Sequence, residues 1–104
     1  MNDADQDCSH LDMIQPDASP RVRACEDCLA LGDRWVHLRM CLTCGKVGCC
    51  DDSKNKHARR HAAAAAHPLI RSLEPGEDWA WCFVDQVFME PASALTAPRP
   101  PAPL

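Results

Sequence analysis

The sequence predicts a small α+β domain, a short twisted antiparallel sheet with one main helix packed on it. Three observations carry this. Residues 35–41 and 79–89 alternate along the chain with period two, the signature of strands. Residues 51–68, DDSKNKHARRHAAAAAHP, read as a helix built on alanine, the best intrinsic helix former. Two C-x-x-C pairs, Cys25/Cys28 and Cys41/Cys44, offer staples to a chain of 104 residues with three Trp, two Phe and no Tyr. A core of that size gives little stability by itself.

In order, residues 1–7 are polar and acidic and are expected to be disordered. Residues 8–90 form the domain, and residues 91–104, with PRPPAP, form a Pro-rich flexible tail. Cys8-Ser9-His10 gives a C-x-H pair ahead of Leu11, Met13 and Ile14. Pro16 to Pro20 is a turn-rich connection to the first C-x-x-C. In WVHLRMC, Val36, Leu38 and Met40 point one way and Trp35, His37 and Arg39 the other, as in a half-buried strand. That strand delivers Cys41 to the knuckle CLTCG, where Gly45 permits a tight turn that brings backbone N–H groups to the sulfurs. Gly48 is expected to play a related part before Cys49.

The main helix is expected at about 55–66, with Asp51, Asp52 or Ser53 capping its start and Pro68 confining its end to near His67. Its alanines allow a close approach to the sheet. Residues 69–73, LIRSL, make a short strand, and Pro75-Gly76 punctuates the turn that follows. In 79–89, Trp79, Trp81, Phe83, Asp85, Val87 and Met89 share one face, and Ala80, Cys82, Val84, Gln86 and Phe88 the other. Two faces this apolar predict a central strand, or one that ends in a bend.

The eight cysteines serve either disulfides or metal. The opening MNDADQDCSH has no basic start and no apolar run, so no export signal is expected. A cytoplasmic setting with reduced thiols follows, and that favours metal. Zinc takes four thiolate or imidazole donors in a tetrahedron. The C-x-x-C pairs, then Cys49 and Cys50, then His57, His61 and His67, predict two zinc sites. By spacing alone, His57 and His61 lie one helical turn apart and could share one ion.

The formal charge of −4 argues against a nucleic-acid partner. The local patch Lys54, Lys56, Arg59 and Arg60 reads as a solvated helix start. No apolar run approaches the length of a transmembrane helix, so no membrane partner is expected. The domain is expected to be a monomer.

The full series is C-x-H, C-x2-C, C-x2-C-G-x3-C, H-x3-H-x5-H-P and a final W-C-x2-D. It closely resembles the ubiquitin-protease-type (UBP-type) zinc finger, here as a stand-alone small domain, over residues 8 to about 88. The resemblance implies interleaved sites: Cys25, Cys28, Cys49 and His57 for one zinc, and Cys41, Cys44, His61 and His67 for another. It further implies a third zinc, on Cys8, His10, Cys82 and Asp85, with aspartate standing where the family's last cysteine would be. Aspartate oxygen is an accepted zinc ligand. Cys50 could replace Cys49, but Gly48-Cys49 matches the family's glycine-cysteine step. His37, on the outward strand face, is expected to be solvated.

Each implied site has four protein ligands, whereas a catalytic zinc keeps one position open. No Ser-His-Asp pattern or phosphate-binding glycine loop appears, so an enzyme is not expected. The resemblance implies a protein-interaction module, one that holds the free C-terminal tail of ubiquitin. The family's pocket aromatics correspond to Trp81, Phe83 and Phe88, with phenylalanine where tyrosine is usual. The family's carboxylate-gripping arginine corresponds to Cys50 or Asp51; neither makes a bidentate grip, and Asp51 repels a carboxylate. These departures put the family's ubiquitin binding in doubt and point to another peptide C-terminus or a small ligand. The alternative function is a thiol/zinc redox sensor or zinc-handling protein. Trp35 and Trp79 are expected to pack around the metal.

Overall fold

The computed structural model describes residues 9–15, 18–20 and 22–92. The expected disordered start, Cys8 and most of the Pro-rich tail lie outside the described residues.

Five strands form one antiparallel sheet: β1 (Leu38–Cys41), β2 (Val47–Cys49), β3 (Leu69–Ser72), β4 (Ala80–Cys82) and β5 (Val87–Met89). Their order is β2-β1-β3-β4-β5. Two helices, α1 (Glu26–Leu31) and α2 (His57–Ala65), and a 3-10 turn at Leu11–Met13 complete the described elements.

The register divides the sheet into two faces. Met40 pairs with Val47 and Arg71, and Leu69 with Cys82, which faces Val87. Met40, Val47, Leu69, Ala80, Cys82 and Met89 are all buried in one cluster, with Leu11, Ile14 and Ala18 of the N-terminal segment packed against it. The opposite face carries α2 over β2 and β1. There the approach is close enough to exclude a side chain: a Cβ on Gly48 would lie 2.6 Å from the Ala58 backbone nitrogen. Gly48 therefore serves helix–sheet packing rather than a turn, and alanine on the helix side lets the contact close. Gly45 does hold a turn, at φ +83, donating its N–H to Cys41 at 2.9 Å.

Three local expectations are corrected and one element is added. Residues 79–89 are not one strand. The chain reverses through 83–86, with Gln86 at φ 56 donating its N–H to the Cys82 carbonyl. The reversal shifts the alternation, so Phe88 joins Trp81 on one face while Val87 and Met89 join Ala80 and Cys82 on the other. Next, β1 begins at Leu38 rather than residue 35, and Val36 is 53% exposed. Its backbone N–H is taken by Ser53 Oγ at 2.8 Å instead of a neighbouring strand.

Third, no Asp51, Asp52 or Ser53 side chain caps α2; its N-cap is Lys56, in the left-handed region at φ 49. The first helical N–H, of His57, instead goes to Cys49 Sγ at 3.2 Å. A sulfur carrying negative charge at a helix N-terminus is favoured by the same dipole that favours acidic caps. Finally, α1 was not expected. Its signals were nevertheless present: Glu26 and Asp27 in the first turn, and Gly32 in the left-handed region at φ 71, closing the last turn onto Cys28 and Leu29.

No described helix is long and apolar enough to cross a membrane. The largest fully buried side chains are Leu42, Leu69 and Val47, followed by cysteines. So small an aliphatic interior leaves much of the stability to whatever the cysteines hold.

Candidate metal centres and an adjoining pocket

Three groups of donors converge. Cys25, Cys28, Cys49 and His57 form the first, Cys41, Cys44, His61 and His67 the second, and His10, Cys82 and Asp85 the third. Within each group the ligating atoms all lie within 4.8 Å of one another. Cys8, named with the third group, lies outside the described residues. His57 and His61, which spacing alone could assign to one ion, fall in different groups.

Each group is built by the ends of regular elements. Cys25 caps α1 and Cys28 lies in its first turn, Cys49 ends β2 and His57 opens α2. Cys41 ends β1, Cys44 follows in the knuckle, His61 lies one turn along α2, and His67 follows that helix. Cys82 ends β4, Asp85 lies in the turn to β5, and His10 precedes the 3-10 turn.

The geometry fits zinc. With usual bond lengths a tetrahedral zinc sets its donors apart by about 3.5 Å for S···N, about 3.8 Å for S···S and about 3.4 Å for N···N or N···O. In the first group, His57 Nδ1 lies 3.3, 3.4 and 3.6 Å from the sulfurs of Cys25, Cys28 and Cys49, and Cys28 lies 3.9 Å from Cys49. In the second, Cys44 Sγ to His61 Nε2 is 3.4 Å, Cys41 Sγ to His67 Nδ1 is 3.6 Å, and the two ring nitrogens are 3.4 Å apart. In the third, His10 Nδ1 lies 3.5 Å from Cys82 Sγ and 3.3 Å from Asp85 Oδ2.

The electrostatics point the same way. Burial, with the Cys28 and Cys49 thiols nearby, pushes the Cys25 thiol up to about 12. Burial likewise raises the Cys41 thiol. Thiols so placed ionise only when a cation shares the site. Asp85 is already prepared. Backbone and hydroxyl donors of Ser9, 2.6 and 2.9 Å from Oδ2, hold its carboxyl below the usual range, with His10 adding to the effect. The seven described cysteines are all free, so none is committed to a disulfide.

Cys49 and Cys50 separate as consecutive strand residues do, toward opposite sides. Cys49 enters the first group, while Cys50 Sγ lies near Ser53 Oγ, at 3.7 Å, and lines a pocket. Native mass spectrometry should therefore show Cys49→Ser one metal short and Cys50→Ser with its full complement. The reverse result would exchange the two roles. His37 belongs to no donor group among the described residues.

The pocket has a volume of about 280 Å³ and lies between α2 and the β4–β5 hairpin. Trp81, Phe83 and Phe88 line it, and so do Trp79, Ile70, Arg39, Ala58, Arg59 and the Cys50–Asp52 loop. Trp81 and Phe88 are cross-strand partners with ring centroids 4.6 Å apart, and Trp79 meets Phe88 edge-on at 5.3 Å. Trp79 thus belongs to the pocket rather than to a metal group. Trp35 does pack on the first cysteine group.

Two pocket residues escaped sequence reasoning. Arg39 stands over Trp79 at 4.6 Å and Arg59 over Phe83 at 4.9 Å. In the sequence, Arg59 looks like part of a solvated patch with Lys54, Lys56 and Arg60. Its helical position, on the flank beside buried Ala58 and Ala62, was the available signal.

Comparison with known proteins agrees with this geometry. Residues 25–94 match the family described as "Zn-finger in ubiquitin-hydrolases and other protein". The solution structure of protein RPA1320 from Rhodopseudomonas palustris is similar, at 48% identity and a TM-score of 0.76 over 88% of this chain and 88% of that one. A domain of this family is a zinc finger rather than a catalyst, and in general a protein-interaction domain. The converging thiols and imidazoles and the matched stretch together place this chain in the UBP-type zinc-finger family.

Proposed function

We propose that the chain is a zinc-stabilised interaction module whose aromatic pocket receives a peptide C-terminus, acting as a monomer in a reducing, cytoplasmic setting. Two zinc ions sit in the four-donor groups. A third is held by His10, Cys82 and Asp85, with Cys8 as its fourth ligand. Closed tetrahedral sites leave no open position for substrate, so the ions shape the fold and the pocket does the binding.

The observation that carries this reading is the pocket itself, in which four aromatic rings and two guanidinium groups converge in about 280 Å³. Apolar walls with a few placed polar groups are the usual make-up of a ligand site. The volume suits one or two residues at a chain end. The occupant need not be ubiquitin, since Cys50 and Asp51 stand where the family's carboxylate-gripping arginine would be.

The experiment is a titration of the metal-loaded protein with intact ubiquitin and with short peptides, each peptide with a free and with an amidated C-terminus. The expected result is micromolar binding of a free-ended peptide that amidation weakens. Failure of every free-ended peptide to bind would sink the reading. Ubiquitin, run in parallel, decides whether the family's ligand is also this chain's.

A further inference from the structure

We propose that Arg59 receives the terminal carboxylate of the pocket's ligand, with Asp51 positioning it; this rests on the pocket reading above. The pocket has two candidate cations. Arg39 is already engaged: its Nη1 donates to the Leu38 carbonyl and to Ser72 Oγ, both at 3.1 Å, and faces Glu77 at 3.7 Å. Its side chain is only 12% exposed, so it serves the sheet.

Arg59 differs. Its Nε donates to both Asp51 oxygens, at 3.0 and 3.1 Å, and Nη2 to one of them. Its guanidinium lies over the Phe83 ring. Nη1 has no hydrogen-bond partner among the described residues. One edge of the planar fork is therefore held by Asp51 and one face by a ring, and the outer edge remains for a second carboxylate. A guanidinium can serve two carboxylates at once, since it has five donors in fixed directions.

This reassigns two residues. Asp51, which the sequence marks as repelling a carboxylate, orients the arginine that binds one. The gripping residue comes from α2 rather than from the loop after Cys49. The two sources differ by eight residues in sequence but border the same pocket. An aromatic wall then takes the last residues of the ligand while Arg59 takes its charge, so the pocket selects free C-termini over internal segments.

The test uses the full chain loaded with zinc and fluorescein-labelled peptides ending in two glycines, one with a free carboxylate and one amidated. Fluorescence anisotropy gives both affinities for wild type and for Arg59→Gln, Arg59→Lys and Arg60→Gln. Wild type is expected to prefer the free peptide by roughly tenfold or more, the scale of a charge-assisted hydrogen bond. Arg59→Gln should bind both peptides alike, because the group that tells them apart is gone. Arg59→Lys should keep only part of the preference, since a point charge replaces the fork. Arg60→Gln, which removes the same charge one residue away, should keep all of it. Metal counts by native mass spectrometry show that each variant is folded.

A full preference retained by Arg59→Gln would overturn the assignment and leave the pocket reading standing. Equal loss in Arg60→Gln would overturn it too, by reducing the effect to net charge. If wild type bound neither peptide, or both equally, the assignment would fall, and the pocket reading would fall with it only once every other free-ended peptide had also failed to bind.

Discussion

Stripping zinc with a strong chelator is expected to unfold the domain. Near-UV circular dichroism and amide shift dispersion should collapse together, and both should return when zinc is restored. The reason is magnitude. An aliphatic interior dominated by Leu42, Leu69 and Val47 belongs to a size class that supplies roughly 3–5 kcal/mol at most. Structural zinc contributes about 10–16 kcal/mol per site in small zinc-finger peptides, and that binding energy is folding energy. The same logic holds for a single ligand. Cys44→Ser should lose one metal, and with it the tie between the β1 knuckle and α2 through His61 and His67. A cooperative, well-dispersed fold surviving in chelator would refute this account, and would shift the weight of stability onto the apolar cluster.

Gly48→Val should be nearly as damaging, although it touches no donor group. A Cβ there would meet the Ala58 backbone nitrogen at 2.6 Å and its Cα at 2.9 Å, and backbone cannot swing aside as a side chain can. The helix must lift from the sheet. His57 and His61 ride on that helix, so both four-donor groups would be pulled out of shape. An overpacking cost of about 2–4 kcal/mol is expected before any metal is lost. Gly32→Ala is the comparison. Nothing lies within 4 Å of a Cβ at Gly32, and the cost is confined to its φ of +71, about 1 kcal/mol. Urea unfolding of the zinc-loaded proteins, with metal counts alongside, should rank the two in that order. Similar midpoints would mean that helix and sheet are not in the tight contact described.

The sequence carried much of this architecture because thiol and imidazole spacing is a direct record of geometry. The pattern from Cys25 to His67 announced clustered donors, and the Ala run announced the helix that brings two of the histidines. What it could not show was parity and depth. From 79 to 89 the alternation was real, but a four-residue reversal consumed the middle of it and exchanged the faces of Phe88 and Met89. Residues 83–86 carry no glycine or proline to mark that turn. The role of Gly48 was hidden because a close approach of two backbones leaves only the absence of a side chain as its trace. Capping by Cys49 Sγ was illegible for another reason: the residue serving the helix N-terminus is seven positions upstream of Lys56 and becomes its neighbour only through the first donor group. Arg59 was the most consequential omission. Surrounded by Lys54, Lys56 and Arg60, it looked like solvated charge until the hairpin placed Phe83 beneath it.

His57 and His61 stand four residues apart on one short helix yet answer to different donor groups. A rigid rod with a foot in each of two sockets cannot settle one without presenting the other. The first ion to bind is therefore expected to make the second bind more tightly, and a variant with one damaged socket, such as Cys49→Ser, to keep its remaining ion but to yield it to a chelator sooner than the intact protein does.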